Sequence, residues 1–365
     1  MTIANETSRP NIVLIFADDM GYSDIGAYGS EIRTGGLNRL AKQGLCFSQM
    51  YNSAVCCPSR AALLTGLNPH QAGMGAMAGV SYKPFPGGDP PGYLGYLNNE
   101  CVTIAEVLRS QGYRTLMSGK WHVGGHYDPS QPETWTPGDK KHPTPTQRGF
   151  DRFFGTLIGA GSFFSPVTLM RGEQFIPVEE SDFYYTDAIT DNAVSMINES
   201  IDDDKPFFAY VSYTAPHSPL HALEEDIARY QGTYMAGWDA LRGQRHEELK
   251  SRGILDEKWP ISPRDPDAPA WKDELHKEWQ DRCMAVYAAM IDRMDQGIDR
   301  ILDTLKQRGQ EENTVVIFLS DNGAASAWFA EDRGVDHPGQ YGSIKNSCNI
   351  LTTSRWNYPS LQIEG

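Results

Sequence analysis

The sequence predicts an α/β fold, with a central, mostly parallel sheet lying between helices. Three observations carry this. The apolar, β-branched runs 11–17, 207–213 and 314–319 are largely continuous, as in strands buried on both faces. Stretches of helical period, with their own start and stop signals, lie between them. Each run ends on polar, ligand-type residues, at the strand end where open α/β sheets bind their ligands. At 365 residues the chain is long enough for one large α/β domain or two smaller ones, and it has no internal repeat.

Taken in order, Asn11-Ile-Val-Leu-Ile-Phe-Ala17 reads as a central strand and runs straight into Asp18-Asp19. Leu37–Gln43 reads as a short helix ended by Gly44. Cys56-Cys57-Pro58-Ser59-Arg60 opens a second helix: Pro58 suits the first turn, Ala61–Leu64 are good helix formers, and Gly66 supplies the stop. Thr103-Ile-Ala-Glu106 is a capping box opening a helix to Gln111, which Gly112 stops. Tyr113–Met117 is the next strand and leads into Gly119-Lys120-Trp121-His122.

Residues 126–147 and 222–280 are rich in Pro, Asp, Glu, Lys and Gln without clear period, and read as excursions that shape an entrance. Arg148–Gly155 is assigned to packing, and His126 to the surface. After the strand Phe207–Tyr213, prolines flank His217 in a rigid loop that also holds His221. Met284–Leu305 carries one apolar stripe at helical spacing, its methionines read as core fillers, and Gly309 ends it. Thr314–Leu319 is a further apolar strand, followed by Ser320-Asp321-Asn322-Gly323.

The chemistry these positions offer is specific. A thiol at a helix start sits beside free N–H groups and the positive dipole end, and Arg60 adds a permanent cation. Adjacent cysteines cannot form a relaxed disulfide, and no Cys/His pair follows at metal-finger spacing; a buried, inert Cys is the other reading. Asp18 and Asp19 repel unless a cation lies between them, although alone they also read as a solvated turn. Lys120 and His122, two apart after a strand, read in isolation as a surface loop.

Cys56-x-Pro-Ser-Arg60 followed by x-x-x-Leu64-Thr-Gly66 resembles the signature of the type I sulfatases, in the alkaline phosphatase superfamily. The resemblance implies an alkaline phosphatase-like fold and conversion of Cys56, two positions before Pro58, to formylglycine by a maturation enzyme. The hydrated aldehyde would be the nucleophile, with Asp321 as its base. By the same resemblance Asp18, Asp19, residue 56, Asp321 and Asn322 would hold a divalent cation. Their oxygen donors favour Ca²⁺ first and Mg²⁺ second. Asn322 stands where the two-zinc relatives usually carry His. Lys120 and His217 would contact the sulfate and His122 would assist the nucleophile, while His126 and His221 match nothing.

The implied activity is hydrolysis of an aryl or carbohydrate sulfate. Phosphonate or phosphodiester hydrolysis is the alternative within the superfamily, and a non-catalytic homologue is another. The resemblance runs from about Arg9 to Asn322 and thins after Arg333. Residues 9–330 are therefore expected to form the catalytic domain and 331–365 a divergent or truncated tail. The family's second sulfate-contacting Lys and small C-terminal subdomain are expected to be absent; Lys345, the only lysine after Lys306, has neighbours that do not fit.

Composition bounds the partners. The formal charge of −15 disfavours nucleic acid and requires positive groups to be concentrated locally around an anionic substrate. Six cysteines at irregular spacing make no disulfide framework. No export signal or membrane span is read, so the expectation is a cytoplasmic protein acting on a sulfated small molecule or glycan.

Overall fold

Strand β1, Asn11–Ala17, is the axis of the sheet, with Val13, Ile15 and Ala17 fully buried on one face and Leu14 and Phe16 on the other. Such a run has no polar face to offer water, so it takes a parallel partner on each side: β6 (Phe207–Ser212) and β7 (Thr314–Ser320). The structure, a computed structural model, describes residues 9–79, 90–266 and 268–325. Among these the sheet has seven strands in the order β5-β4-β3-β2-β6-β1-β7. Here β2 is Arg114–Gly119, β3 Arg152–Thr156, β4 Leu169–Arg171 and β5 Gln174–Phe175. The five from β3 to β7 in that order run parallel, and β4 and β5 are antiparallel additions. The expected mixed, mostly parallel sheet is present.

Two cores lie on opposite faces. Val13, Ile15, Phe207, Ala209 and Val211 pack against helices α1 (Gly35–Gln43), α4 (Tyr185–Asp202) and α7 (Lys277–Gln307). Leu14, Phe16, Met117, Phe208 and Tyr210 pack against α2 (Cys56–Thr65), α3 (Ile104–Ser110), Trp121 and Phe150. The capping box forms as expected: Thr103 Oγ1 accepts from the Glu106 N–H at 3.1 Å, and Glu106 accepts from the Thr103 N–H at 2.6 Å. Gly66 closes α2 in the left-handed region (φ 68°), its N–H bonded to the Ala62 carbonyl. The start of α1 is capped across the core by Asp295 of α7, whose carboxylate takes the Gly36 and Leu37 N–H groups at 2.8 Å each.

Several elements depart from the sequence reading. Helix α4 was not expected, yet Ile189, Ala193, Met196 and Ile197 make a helical stripe that is fully buried or nearly so. Arg152–Thr156 is a strand as well as packing: Phe153 and Phe154 enter opposite cores, while Arg148 bonds the carbonyls of Asn98 and Cys101. The stretch 222–280 holds α5 (Glu224–Ile227) and α6 (Trp238–Ser251); α6 buries no residue, so it has no apolar period to read. Helix α7 begins at Lys277, earlier than its apolar stripe, and Met290 and Met294 are core residues as expected. On β7, Val315 and Ile317 are half exposed, so only one of its faces is covered by described residues. Residues 331–365, the expected tail, and Lys345 within it, lie outside the described residues. No described helix is long and apolar enough to cross a membrane.

Candidate active site

Four neighbouring parallel strands end at one place. In the register, Ala17 of β1 pairs with Ser320 of β7, and Gly119 of β2 pairs with Ser212 of β6. Backbone bonds then tie the following residues together: Asp321 N–H to the Ala17 carbonyl (3.1 Å), Asp18 N–H to Ala215 (3.2 Å) and Lys120 N–H to Ser212 (2.8 Å). Residues 18, 120, 217 and 321, remote in sequence, are thereby gathered on one rim.

Helix α2 brings the remaining parts. Val55 is the extended N-cap residue, so Cys56 is the first helical residue and Arg60 lies one turn further in. Cys56 Sγ, an oxygen of Asp18 and an oxygen of Asp321 lie within 4.8 Å of one another, all buried. Arg60, fully buried, reaches Asp321 Oδ2 at 3.1 Å and Asp18 Oδ1 at 3.4 Å, and stacks over Phe16 at 5.1 Å. It also donates to Ser212 Oγ and to the Lys120 carbonyl (3.1 Å). Lys120, equally buried, pairs with Asp18 Oδ2. Asp19 receives Asn322 Nδ2 on Oδ1 at 2.5 Å and has His217 Nε2 at 3.6 Å from Oδ2. His217 Nδ1 is held by the Ser218 carbonyl.

His122 completes the ring of groups around Cys56. Its backbone N–H bonds the Leu157 carbonyl at 3.1 Å, and a ring nitrogen lies within 4.8 Å of Cys56 Sγ. Asp19 (φ 63°) and His122 (φ 55°) both hold the left-handed conformation that non-glycine residues avoid. Strain of this kind persists where surrounding structure fixes it, and it clusters at functional sites.

The electrostatics follow from burial. Asp321 is pushed up to about 8 by desolvation, with Asp18 adding to the shift. Asp18 is also raised by desolvation, against the pull of Lys120 and Arg60. Burial alone would depress Lys120, but Asp18 and Cys56 outweigh it and the net shift is upward. Cys56 is held well below the usual thiol range by a hydrogen bond from Cys57 and by Lys120 and His122, and burial pushes Cys57 up. His122 and His217 are both lowered by burial, with Lys120 opposing their protonation.

A hard divalent cation fits this donor set. Asp18 Oδ1 is buried with no hydrogen-bond partner, and two desolvated carboxylates facing each other are costly without a cation. Asn322 presents its amide nitrogen to Asp19; as a ligand it would turn its oxygen inward, and the two amide orientations are an assignment from hydrogen bonding.

All nine expected site residues converge here: Asp18, Asp19, Cys56, Arg60, Lys120, His122, His217, Asp321 and Asn322. His126 is exposed. His221 is buried, takes the Phe163 N–H on Nδ1 at 3.4 Å, and is lowered to about 4 by desolvation. Two participants escaped the sequence reading. Ser212 Oγ links Arg60 to the Lys120 carbonyl, and its position at a strand's carboxyl end was the available signal. Gly159 packs against the His122 ring, and nothing in the sequence marks it.

Comparison with known proteins places this geometry. The family model described as "Sulfatase" matches residues 10–343. An arylsulfatase of Klebsiella aerogenes is 36% identical, the match covering 93% of this chain and 74% of that protein. An uncharacterized sulfatase of Schizosaccharomyces pombe is also 36% identical, covering 87% of this chain but 58% of its own length. Among solved structures, Ps i-CgsB in complex with k-i-k-neocarrahexaose superposes with TM-score 0.60 at 27% identity, over 87% of this chain and 59% of that one. The chain thus spans from somewhat over half to three quarters of the length of these relatives. A signature helix at the rim of this sheet, a family match over most of the chain and a relative of this closeness leave one conclusion: the chain belongs to the sulfatase family.

Proposed function

We propose that the protein hydrolyses a sulfate ester, of a phenol or a carbohydrate, through a formylglycine made from Cys56. A divalent cation, calcium before magnesium, would be held by Asp18, Asp19, residue 56, Asp321 and Asn322. One observation carries the reading: Arg60, Lys120, His122 and His217 converge with a buried acidic cluster on Cys56. Cys56 Sγ stands where the hydrated aldehyde would supply an attacking hydroxyl, which the cation would help to ionise while polarising the sulfate.

The chain's own residues then divide the work. Arg60 and Lys120, fixed and desolvated, oppose the negative charge on the sulfate oxygens where the low dielectric strengthens each contact. His122, kept neutral by burial, faces residue 56 and can accept its proton. His217 has Nδ1 tied to a carbonyl, so in the neutral ring the proton sits on Nδ1 and Nε2 is the atom that can take up a proton and pass it to the leaving oxygen. Asp321, beside residue 56, is the carboxylate placed to act as base once the cation lowers its proton affinity.

Two of the relatives, an arylsulfatase and Ps i-CgsB in complex with a neocarrahexaose, support both the aryl and the carbohydrate classes. A formylglycine-generating enzyme is the implied maturation partner. The test is turnover of an aryl sulfate against an aryl phosphonate monoester by protein co-expressed with that enzyme. A higher kcat/KM for the sulfate is expected, and preference for the phosphonate would overturn the reading.

A further inference from the structure

A second donor set shares the sulfur of Cys56. Cys56 Sγ, Cys57 Sγ and a ring nitrogen of His122 lie within 4.8 Å of one another, and all three residues are buried. This set is chemically unlike the carboxylates beside it, offering two thiols and an imidazole in place of hard oxygens. It is also already built. The two sulfurs are side by side at the start of α2, and Cys57 Sγ is fixed by the Ala78 N–H at 3.4 Å. His122 Nδ1 is buried without a hydrogen-bond partner. Gly159 presses on the same ring, so the imidazole has little room to turn away.

We propose that the chain in its thiol form binds one thiophilic divalent cation, of the zinc and cadmium class, through Cys56, Cys57 and His122. Tetrahedral sites of this class hold their donors roughly 3.5–3.8 Å apart, so the three atoms need to close in by at most about 1 Å. Asp18, beside Cys56, or a water takes the fourth position. Binding is a simple exchange: each ligating thiol gives its proton to solvent, and nothing is oxidised or reduced. Conversion of Cys56 to an aldehyde deletes a ligand, so soft-metal binding and maturation exclude one another. That consequence rests on Cys56 being the modified residue; the binding itself does not.

The test uses the full chain in its thiol form, confirmed by mass, with Cys46→Ser, Cys283→Ser and Cys348→Ser to remove the thiols outside the set other than the buried Cys101. Cadmium is titrated in the presence of saturating calcium. A thiolate-to-cadmium absorption band that saturates at one equivalent is expected. Cys57→Ser and His122→Ala should each weaken binding by at least about 10-fold, and Asp303→Asn, on the exposed side of α7, should leave it unchanged. Independently of any substitution in the set, cadmium should protect Cys56 and Cys57 from alkylation, read by peptide mass. No saturable band, no protection, or an unchanged affinity in Cys57→Ser would each overturn the proposal. Whether Cys56 is converted by a maturation enzyme is read separately, from the mass of its peptide, so the two ideas fail independently.

Discussion

A Cβ placed on Gly159 would stand 2.2 Å from Cε1 and 2.4 Å from Nε2 of His122, closer than any real side chain approaches. The contact is with a ring, not with a flexible chain end, and His122 is itself held in a left-handed conformation. A side chain at 159 therefore has to move the imidazole away from residue 56.

Gly159→Ala is expected to lower kcat by ~10²-fold, the usual cost of misplacing a catalytic group by about 1 Å. The loss should nearly vanish in a His122→Ala background, because the two changes remove the same interaction. Kinetics of the two single variants and the double variant check this; additive losses would mean that Gly159 acts elsewhere.

Arg60 places its guanidinium between Asp18 and Asp321, with all three side chains fully buried. Arg60→Ala leaves two carboxylates facing each other without it, and breaking a buried pair in this way costs about 3–5 kcal/mol. Denaturant unfolding of metal-free protein should show that loss. Saturating calcium should recover part of it, since the cation neutralises the same carboxylates.

Metal binding itself is tested at the strand ends. Calcium should raise the melting temperature by mass action, about 2.7 kcal/mol at a hundred times its Kd. Asp18→Asn and Asp321→Asn should each weaken that response. Native protein carrying stoichiometric zinc and no calcium would contradict the oxygen-ligand assignment.

The same carboxylate sets a pH dependence. Asp321 titrates at about 8 in the fold, above its ordinary value of 3.8, so between these the unfolded chain has lost a proton that the folded chain keeps. Its contribution to stability is therefore present below pH ~4 and lost as pH rises toward ~8 in metal-free protein. Calcium, which requires the ionised form, should show a larger melting shift at pH 8 than at pH 5. Equal shifts at the two pH values would contradict the assignment.

What the sequence disclosed follows from where its signals are local. Strands β1, β6 and β7 bury both faces or lie against a core, so their apolar runs stand out, and the polar residues after them mark the rim. The helix at Cys56 carries its own start and stop in Pro58 and Gly66. Helix α4 was overlooked although Ile189, Ala193, Met196 and Ile197 keep a helical period, because polar residues such as Asp187, Asp191 and Asn192 interleave with them. Helix α6 buries nothing and left no period to find. Within the site, residue types with recognisable chemistry were readable, whereas Ser212 and Gly159 act through contacts that exist only once distant strands and loops meet.

The central claim is that Cys56, and not Cys57, becomes the nucleophile. The most direct measurement is the mass of the peptide holding both residues, after expression with a formylglycine-generating enzyme. The expected result is loss of the Cys56 sulfur with an aldehyde in its place, reactive toward a hydrazide, and Cys57 intact. An aldehyde at Cys57, or sulfate ester turnover by protein whose Cys56 remains a thiol, would contradict it.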